Sequence, residues 1–447
     1  MSIYKDCDIR GIYSVEFDEN DAYKIGRAVG TMMTGKTLVV GGDVRLSTPV
    51  LKERLIAGLR ESGANIKDIG TVPTPVFYFS LKKLVADGGV MVTASHNPAK
   101  YNGFKLMLGK TPITVEVIKT IENIVISGEF SSGDGMYETI DTSEDYIADM
   151  LSIFEPCKLR VVLDCCNGAT SEIAPRIFEL LGYDVVKLYC EFDGSFPNRD
   201  PNPAVYENLT DLKKKVVESG ADLGAAFDGD GDRVVFVDDR GRVINSERSF
   251  AVFIREYLKE APSSVVYDIK SSSVVRDTVL ELGGEPILER SGHAFIKKRF
   301  LEKKSALAGE ISGHFFFREL GYDDGIYAAL RMAQILAKSG EKLSGIIDRI
   351  PSTLITPDIR VFCPYDKRDG WLERVHEAGK QYKISLIDGV RVDFPYGWLL
   401  VRKSVTEEGI TLRIEAKNEE NMNKIKSWIL EVLPEIPEEL LYKEVKR

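Results

Sequence analysis

Hydrophobic positions along the first three quarters of the chain alternate between short runs rich in β-branched residues and longer amphipathic stretches. Between residues 38 and 84 this pattern predicts a strand at Leu38-Val39-Val40, a helix from Val50 to Glu61, a strand near Ile66 and a helix from Val76 to Leu84. Further strands are predicted at 90–93, 159–163, 185–188, 223–227, 265–267 and 306–308. Strands that alternate with helices predict parallel sheets, and their distribution indicates three α/β domains.

The pattern changes after about residue 355. Closely spaced strands are predicted at 359–362, 390–394, 398–401 and 412–415, and a helix is predicted at 420–433. Strands without alternating helices predict a smaller α+β domain. We therefore divide the 447 residues into four domains, 1–145, 146–243, 244–354 and 355–447.

Three of the predicted strands end in polar loops. These loops are 94–98 (Ala-Ser-His-Asn-Pro), 228–232 (Asp-Gly-Asp-Gly-Asp) and 310–314 (Glu-Ile-Ser-Gly-His). Ligands of parallel α/β sheets bind at the carboxyl ends of the strands, so we expect the three loops to face one cleft. Three of the four histidines, His96, His293 and His314, lie in or near such loops, which supports a common site.

Loop 228–232 has the composition of a cation site. Asp228, Asp230 and Asp232 alternate with glycines, which allow a tight turn in which the carboxylates converge. Such oxygen ligands suit Mg²⁺ or Mn²⁺. A calcium-binding EF-hand loop is excluded, because it needs glycine at its sixth position and flanking helices, whereas Arg233 and predicted strands stand here. The alternative is a solvated acidic turn, but three uncompensated carboxylates after a buried strand are costly without a cation.

Loop 94–98 places the hydroxyl of Ser95 at the end of a buried strand, where it is a candidate nucleophile. The esterase motif GxSxG occurs nowhere in the chain, which excludes that class. On this motif alone, a turn serine with local hydrogen bonds is the favoured interpretation. A neighbouring metal changes the balance, since a phosphorylated serine would carry about −1.5 to −2 charges and offer the cation another oxygen.

Two further loops contain groups that can bind sugar phosphates. Loop 310–314 spaces three polar side chains two residues apart, so in an extended loop they share one face. Loop 402–406 combines a guanidinium with two hydroxyls, which suits a phosphate group. Each loop taken alone is also consistent with ordinary polar surface. The candidates are Glu310, Ser312, His314, Arg402, Ser404 and Thr406, with Lys270 and His293 near other strand ends.

Residues 30–37 (GTMMTGKT) match the nucleotide-binding pattern GxxxxGK[ST] completely. That pattern binds phosphate when it follows a strand and opens a helix. Here it follows a predicted helix at 21–30 and precedes a predicted strand, so we interpret its glycines as the end of a helix.

The composition excludes several classes of protein. Hydrophobic residues make up 44% and charged residues 29% of the chain, and no apolar run approaches the roughly 20 residues of a membrane span. A net charge of −10 argues against nucleic acid as a partner. The N-terminal sequence resembles neither a signal nor a transit peptide, so we expect a cytoplasmic protein. We interpret the six dispersed cysteines as reduced thiols.

Five motifs follow one another along the chain: 8–11 (DIRG), 93–98 (TASHNP), 228–233 (DGDGDR), 310–314 (EISGH) and 402–406 (RKSVT). In this order, and together with segment 42–47 (GDVRLS), they resemble the α-D-phosphohexomutase family, and the resemblance runs from residue 8 to about residue 416. The first motif and 388–392 (DGVRV) are most similar to the phosphomannomutase/phosphoglucomutase branch. The resemblance implies a four-domain, heart-shaped molecule, in which three similar α/β domains and a C-terminal domain like the TATA-binding protein surround a central cleft.

The resemblance also implies an activity and its residues. Hexose 1-phosphates and 6-phosphates, of mannose or glucose, would be interconverted through a phosphoserine and a hexose 1,6-bisphosphate, by a monomer or homodimer. Mg²⁺ would be held by Asp228, Asp230, Asp232 and the phosphorylated Ser95. The implied catalytic residues are Ser95, His96, Arg10, Lys105 and His314, and the implied substrate-binding residues are Arg233, Lys270, His293, Glu310, Ser312, His314, Arg402, Ser404 and Thr406.

Other activities stay open at this level. The phosphoglucosamine mutase branch shares the serine of loop 94–98, the acidic loop 228–232 and the equivalents of Glu310, Ser312 and His314, although Ile311 stands where that branch typically has glutamine. A non-catalytic sugar-phosphate binding protein and a metal-dependent phosphatase are two further classes. Three positions depart from the family pattern: Val405 and Glu408 in the phosphate loop, and Cys7 before the DIRG segment, where the closest branch usually has tyrosine.

Overall fold

The computed structural model describes residues 2–5, 7–109, 111–404 and 408–442. Their strands form four sheets, which follow one another along the chain. The first three sheets are mixed and are packed with helices, whereas every strand pair of the fourth sheet is antiparallel. The predicted fold class, three α/β domains followed by an α+β domain, is confirmed.

The first sheet and its helices contain the N-terminal third of the chain. They are β1 (Ile9–Ile12), α1 (Glu19–Met32), β2 (Thr37–Gly42), α2 (Thr48–Glu61), β3 (Asn65–Thr71), α3 (Thr74–Lys83), β4 (Gly88–Val92), β5 (Tyr101–Leu108), β6 (Thr111–Pro112), α4 (Val115–Ser127) and β7 (Tyr137–Thr139). The strand order is β1-β5-β4-β2-β3-β7, with β6 paired to β5. Residues 30–37 join the end of α1 to β2, so the predicted end of a helix is confirmed there.

The second sheet has the order β12-β11-β10-β8-β9, and the third has the order β14-β13-β15-β16-β17, in the numbering that follows. The elements around the second sheet are α5 (Ser143–Ile153), β8 (Arg160–Asp164), α6 (Ile173–Leu180), β9 (Asp184–Leu188), a 3₁₀ helix (Tyr206–Leu209), α7 (Thr210–Ser219), β10 (Leu223–Phe227), β11 (Val234–Asp238), β12 (Val243–Ile244) and α8 (Ser246–Leu258). Those around the third are β13 (Ser264–Asp268), α9 (Ser273–Glu281), β14 (Glu285–Glu289), α10 (His293–Lys303), β15 (Leu307–Gly309), β16 (Phe315–Phe317), β17 (Tyr322–Asp323), α11 (Gly325–Ser339) and α12 (Leu343–Asp348).

The fourth sheet has the order β18-β23-β22-β21-β20, with β19 paired to β23, again in the numbering that follows. Its elements are β18 (Leu354–Ile355), β19 (Ile359–Phe362), α13 (Arg368–Gly379), β20 (Lys383–Ser385), β21 (Val390–Phe394), β22 (Gly397–Lys403), β23 (Gly409–Ala416), α14 (Glu419–Val432) and α15 (Glu438–Tyr442).

The same local arrangement occurs once in each of the first three sheets. A fully buried strand (β4, β10 or β15) ends in a polar loop, and the chain then returns as an antiparallel neighbour (β5, β11 or β16). These strands are apolar on both faces because helices cover both sides of the sheet. The three loops are those that the sequence identified at 94–98, 228–232 and 310–314.

Hydrophobic packing connects the sheets. One core includes Val39 of the first sheet, Val161 of the second and Val265 of the third. The fourth sheet has its own core, and Trp398 of that sheet packs on Ile269 beside the third. No helix within the described residues is both long and apolar enough to cross a bilayer.

The exact domain divisions stay predictions. Helix α5 contains the predicted division at residue 145, β12 contains the division at residue 243, and β18 begins one residue before the division at residue 355. The sheets themselves end at Thr139, Ile244 and Asp323.

Candidate active site

Ser95 lies just beyond the carboxyl end of β4. Its backbone has a φ of +50°, a left-handed conformation that is uncommon for a residue with a side chain and that stores strain. Its hydroxyl donates a hydrogen bond of 2.9 Å to Oδ2 of Asp228, and its N–H donates to Oγ1 of Thr93 at 2.9 Å. The turn therefore directs a buried hydroxyl from the first sheet to the acidic loop of the second.

Arg45 holds the Ser95 loop in this conformation. Its two terminal nitrogens donate to four backbone carbonyls in the segment 95–101, at 2.6 to 3.0 Å. Its Nε donates to Oδ2 of Asp43 at 3.0 Å, and both side chains are fully buried. A guanidinium that uses all its nitrogens in one pocket fixes the backbone around it.

The acidic loop between β10 and β11 is buried. Asp228, Asp230 and Asp232 are each 0% exposed, and one oxygen from each lies within 4.8 Å of the others. Oδ1 of Asp230 makes no hydrogen bond with any described residue. Three converging carboxylates with an unused buried oxygen fit the oxygen-rich ligand set of Mg²⁺ or Mn²⁺.

The first sheet contributes a cation and a hydroxyl to this loop. Nζ of Lys105, on β5, donates to Oδ2 of Asp230 at 2.9 Å and to Oδ2 of Asp232. Oγ1 of Thr74, the first residue of α3, donates to Oδ2 of Asp230 at 2.6 Å. Burial lowers the pKa of Lys105, but Asp230 and Asp232 outweigh burial and hold the pKa well above its ordinary value. Lys105 is therefore a cation among these carboxylates.

His314 lies against the acidic loop from the third sheet. Its Nε2 is 3.3 Å from Oδ1 of Asp232, and its Nδ1 is 2.8 Å from Oε2 of Glu310 and 3.0 Å from Oγ of Ser312. Burial and Arg233 lower the pKa of His314, but the two carboxylates outweigh them and raise it to about 10. The ring is therefore protonated in this arrangement.

Arg233 and His293 border the same ring. Nε of Arg233 is 3.3 Å from Nε2 of His314 and 3.6 Å from Oδ2 of Asp228. The ring of His293 stacks on that of His314, with centroids 5.7 Å apart. Burial, with help from the Lys105 charge, holds the pKa of His293 well below its ordinary value, so this second ring is neutral.

Arg10 and His96 flank Ser95. Arg10 donates to Oδ1 of Asn97 at 2.7 Å and is paired with Asp8. Nδ1 of His96 is 3.4 Å from Oγ of Ser95. Burial, together with Arg233 and Arg10, holds the pKa of His96 well below its ordinary value. His96 is therefore a neutral hydrogen-bonding group beside the hydroxyl.

Lys270 and Arg402 form a second cluster, where the third and fourth sheets meet. Lys270 donates to Oδ2 of Asp358 at 2.5 Å, and Arg402 donates to Oδ2 of Asp388 at 2.6 Å. Burial raises the pKa of Asp358, but Lys270 and, more weakly, Arg413 and Arg402 lower it. Each predicted phosphate-binding cation is thus paired with its own carboxylate, and the charges of both act on Asp358.

The rest of the predicted phosphate loop is described only in part. The backbone N–H of Ser404 donates to the carbonyl of Gly409 at 3.0 Å, and Glu408 accepts from the backbone N–H of Tyr365 at 3.1 Å. Thr406, a predicted phosphate ligand, and Val405 lie outside the described residues.

Hydrogen bonds link the second cluster to the first. Oδ1 of Asp268 accepts from the backbone N–H of Lys270 at 2.9 Å and from Oγ of Ser291 at 2.6 Å. The neighbouring Gly292 donates its N–H to Oε1 of Glu310 at 2.9 Å. Burial and the charge of Glu310 raise the pKa of Asp268 to about 6. The two clusters are therefore parts of one polar region.

Sequence reasoning missed four residues of this region. Arg45 and Asp43 lie in segment 42–47, whose similarity to the family was noted without a role. Thr74 was given no role either, because its partner Asp230 is distant in sequence. Asp323, whose Oδ2 is 3.6 Å from Nε2 of His314, is the last residue of the short strand β17, which carries no recognisable motif.

Three family models match successive parts of the chain. They describe the α/β/α domains I, II and III of phosphoglucomutase/phosphomannomutase, and they match residues 1–132, 144–241 and 245–354. The matches cover each of the three loops that meet at Ser95 and the acidic cluster.

Full-length relatives agree with these matches. The chain is 40% identical over 437 residues to a Pseudomonas aeruginosa protein named phosphomannomutase/phosphoglucomutase, covering 95% of this chain and 94% of that protein. It is 35% identical over 450 residues to a Neisseria gonorrhoeae phosphoglucomutase, covering 97% of each. The crystal structure of a phosphoglucomutase/phosphomannomutase family protein from Burkholderia thailandensis superposes with a TM-score of 0.91 at 34% identity, covering 97% of this chain and 98% of that one.

Proposed function

The chain belongs to the α-D-phosphohexomutase family, with the phosphoglucomutases/phosphomannomutases, and we propose that it interconverts the 1-phosphates and 6-phosphates of mannose, glucose or both. The observation that carries the proposal is the hydrogen bond of 2.9 Å between Oγ of Ser95 and Oδ2 of Asp228. It joins a buried hydroxyl to a carboxylate cluster that fits a divalent cation. A hydroxyl in this position is suited to accept a phosphoryl group and to release it again.

Ser95 carries the phosphoryl group in the resting enzyme. In the first step, the bond between Oγ and phosphorus breaks, and phosphorus bonds to the free hydroxyl of a hexose 1-phosphate or 6-phosphate, whose proton passes to a base in the site. The product is a hexose 1,6-bisphosphate, and an acid in the site returns a proton to Ser95. The other phosphate then moves to Ser95 by the same chemistry, and the isomer leaves.

His314 and Lys105, both protonated in this arrangement, are the candidates for the acid, and each becomes a base once it has given up its proton. Both are buried and contact Asp232, and a positioned acid or base typically contributes about 10²- to 10⁴-fold to the rate. Arg10 and Arg233 stabilise the charge that spreads over the transferred group, and His96 donates or accepts a hydrogen bond beside Ser95.

The metal in this proposal is Mg²⁺, held by Asp228, Asp230, Asp232 and an oxygen of the phosphorylated Ser95. When bound, it neutralises charge on the transferring group and polarises the phosphorus. The acidic cluster supports a divalent ion, while the preference for Mg²⁺ rests on the hardness of its oxygen ligands.

The sugar and its second phosphate have separate sites in this proposal. Glu310 accepts hydrogen bonds from sugar hydroxyls, and Ser312 accepts or donates them, in either orientation of the hexose. The non-reacting phosphate is bound by Lys270, His293, Arg402, Ser404 and Thr406. Because Asp358 and Asp388 pair with two of these cations, a bound phosphate must share or displace those carboxylates.

Several broader features belong to the same proposal. We infer that the protein acts in the cytoplasm as a monomer or homodimer, that it binds no nucleic acid and no membrane, and that hexose 1,6-bisphosphate activates it. We also retain the domain divisions 1–145, 146–243, 244–354 and 355–447 as part of this proposal.

The test is ³¹P NMR of mannose 1-phosphate and of glucose 1-phosphate, each with the protein, Mg²⁺ and trace glucose 1,6-bisphosphate. We expect a 6-phosphate signal to grow with the wild type and with Ser152→Ala, whose serine lies on the exposed side of α5, but not with Ser95→Ala. Free phosphate in place of an isomer would identify a phosphatase. If neither hexose 1-phosphate reacts, glucosamine 1-phosphate is assayed in the same way, and its turnover would assign the protein to the phosphoglucosamine mutases. Binding of these compounds without turnover would indicate a non-catalytic protein.

A further inference from the structure

Two cysteines meet at the carboxyl end of the second sheet, outside the site described above. Cys165 follows β8, and Cys190 lies two residues beyond the neighbouring parallel strand β9. The backbone N–H of Cys165 donates to the carbonyl of Leu188 at 3.1 Å, so the pairing of the two strands continues to this point. The two sulfur atoms lie 3.0 Å apart.

The two thiols have different environments. Cys165 is fully buried, whereas Cys190 is half-buried and lines an open cavity of about 310 Å³ together with Lys187 and Asn198. The hydrogen bond with Cys165 lowers the pKa of the Cys190 thiol, while burial raises the pKa of Cys165 well above its ordinary value. An oxidant that enters the cavity therefore meets the more acidic and more accessible sulfur first.

We propose that Cys165 and Cys190 are a site of reversible oxidation, at which a hydroperoxide converts the two thiols to a disulfide. The Cys190 thiolate attacks the peroxide O–O bond and becomes a sulfenic acid, while the peroxide leaves as water or an alcohol. The sulfur of Cys165 then attacks the sulfenic sulfur, which releases water. In total, two thiols lose two electrons and two protons, and one peroxide is reduced.

The geometry favours this pair over other products. A disulfide bond is about 2.05 Å long, so the sulfurs need to approach by only about 1 Å. The sulfur of neighbouring Cys166 contacts the carbonyl oxygen of Arg199 at 3.6 Å and neither sulfur of the pair, so Cys165 is the thiol placed to react with Cys190. Cys165 is near enough to trap the sulfenic acid before a second peroxide can oxidise it further.

The site is tested by thiol mapping, which does not depend on mutase activity. The wild-type protein is treated with an equimolar amount of hydrogen peroxide, denatured in the presence of iodoacetamide and digested. The masses of its peptides are then measured by mass spectrometry, with and without phosphine reduction. We expect Cys165 and Cys190 to lose alkylation together and their two peptides to appear as one cross-linked species. Its mass should be the sum of the two thiol peptides less two hydrogen atoms, and reduction should restore the separate peptides.

Two variants provide controls. Cys157→Ser removes another half-buried cysteine, and we expect the cross-link to form as in the wild type. Cys190→Ser removes the partner of Cys165, and we expect Cys165 to remain a thiol after peroxide treatment and to be alkylated in full. Because the wild type carries the main result, the test holds even if a variant folds poorly. Addition of two oxygens to Cys190 while Cys165 stays a thiol would overturn the proposal, as would oxidation of Cys157 with the pair left reduced.

Discussion

Among single residues, Arg45 determines where the hydroxyl of Ser95 points, because its guanidinium binds four carbonyls of the surrounding loop. Arg45→Lys keeps the charge but offers three donors from a single nitrogen, so several of these carbonyls lose their partner. We expect kcat to fall about 10²-fold, since a nucleophile displaced by about 1 Å loses its alignment. We also expect the free energy of unfolding, measured with urea, to fall by about 3 kcal/mol, because the buried pair with Asp43 is weakened.

The control for this prediction is Arg54→Lys, since Arg54 on α2 contacts the ring of Tyr23 and lies outside the site. We expect both measurements to stay near the wild-type values in that variant. A stable Arg45→Lys protein with wild-type kcat would show that the Ser95 turn holds its conformation without the guanidinium.

Thr74 acts on the acidic loop 228–232 through one hydrogen bond. Its hydroxyl is 2.6 Å from Oδ2 of Asp230, and Thr74→Val removes this donor while keeping the shape of the side chain. Partners of metal ligands typically change metal affinity by about 10- to 100-fold, so we expect the Mg²⁺ concentration for half-maximal activity to rise by that factor. Titration of activity with Mg²⁺, and of binding with Mn²⁺ by electron paramagnetic resonance, measures this change.

Thr120→Val, on the exposed side of α4, provides the matched control, and we expect its metal titration to be that of the wild type. An unchanged titration in Thr74→Val would mean that the other contacts of Asp230, such as that with Lys105, suffice to orient it.

At the scale of elements, the sequence predicts the parallel strands better than their antiparallel neighbours. β10 and the loop after it are predicted to the residue, since the five apolar positions 223–227 are followed directly by Asp228. The return strand β16 was not identified, because three consecutive phenylalanines carry no period that separates a strand from a buried helix. The site was predictable where its residues form local motifs. The Arg45 clamp and the Asp323 contact were not, because they depend on tertiary packing.

Helix α11 begins at a buried aspartate, which makes its stability depend on pH. The carboxylate of Asp324 caps the helix by accepting from the N–H of Tyr327 at 2.9 Å, and it also accepts from the hydroxyl of Tyr146 at 2.9 Å. Burial outweighs these bonds, and with a smaller contribution from the neighbouring Asp323 it raises the pKa from 3.8 to about 7. The folded protein therefore retains a proton that the unfolded chain releases near pH 4.

Protonation of Asp324 consequently stabilises the fold at low pH, and this stabilisation is lost as pH rises from about 4 through about 7. Asp324→Asn keeps an acceptor for the cap and cannot ionise. We expect the variant to lose less thermal stability than the wild type between pH 5 and pH 8, as measured by Tm. Asp18→Asn, at the exposed cap of α1, should follow the wild type, and parallel Tm curves for Asp324→Asn would contradict the assignment.

For the whole molecule, Glu415 on β23 ties the fourth sheet to the third. Its carboxylate accepts from Oγ of Ser272 at 2.7 Å, from the N–H and Oγ of Ser273 at 2.8 and 3.0 Å, and from the indole N–H of Trp398. Ser272 and Ser273 stand just after Lys270, one of the proposed phosphate ligands. The position of β22, which carries Arg402, relative to the acidic loop 228–232 therefore depends on this carboxylate.

Glu415→Gln keeps the size of the side chain but replaces one acceptor oxygen with an amide donor, which faces groups that are themselves donors. Leaving such buried groups unsatisfied costs about 1–3 kcal/mol. We expect faster hydrogen exchange at 270–274 and in β18, and a KM for hexose phosphate raised several-fold, with the Mg²⁺ titration unchanged because the acidic loop lies in another sheet. Glu431→Gln, exposed on α14, should change none of these. A raised Mg²⁺ requirement with unaltered hydrogen exchange would mean that Glu415 acts on the acidic loop and not on the attachment of the fourth sheet.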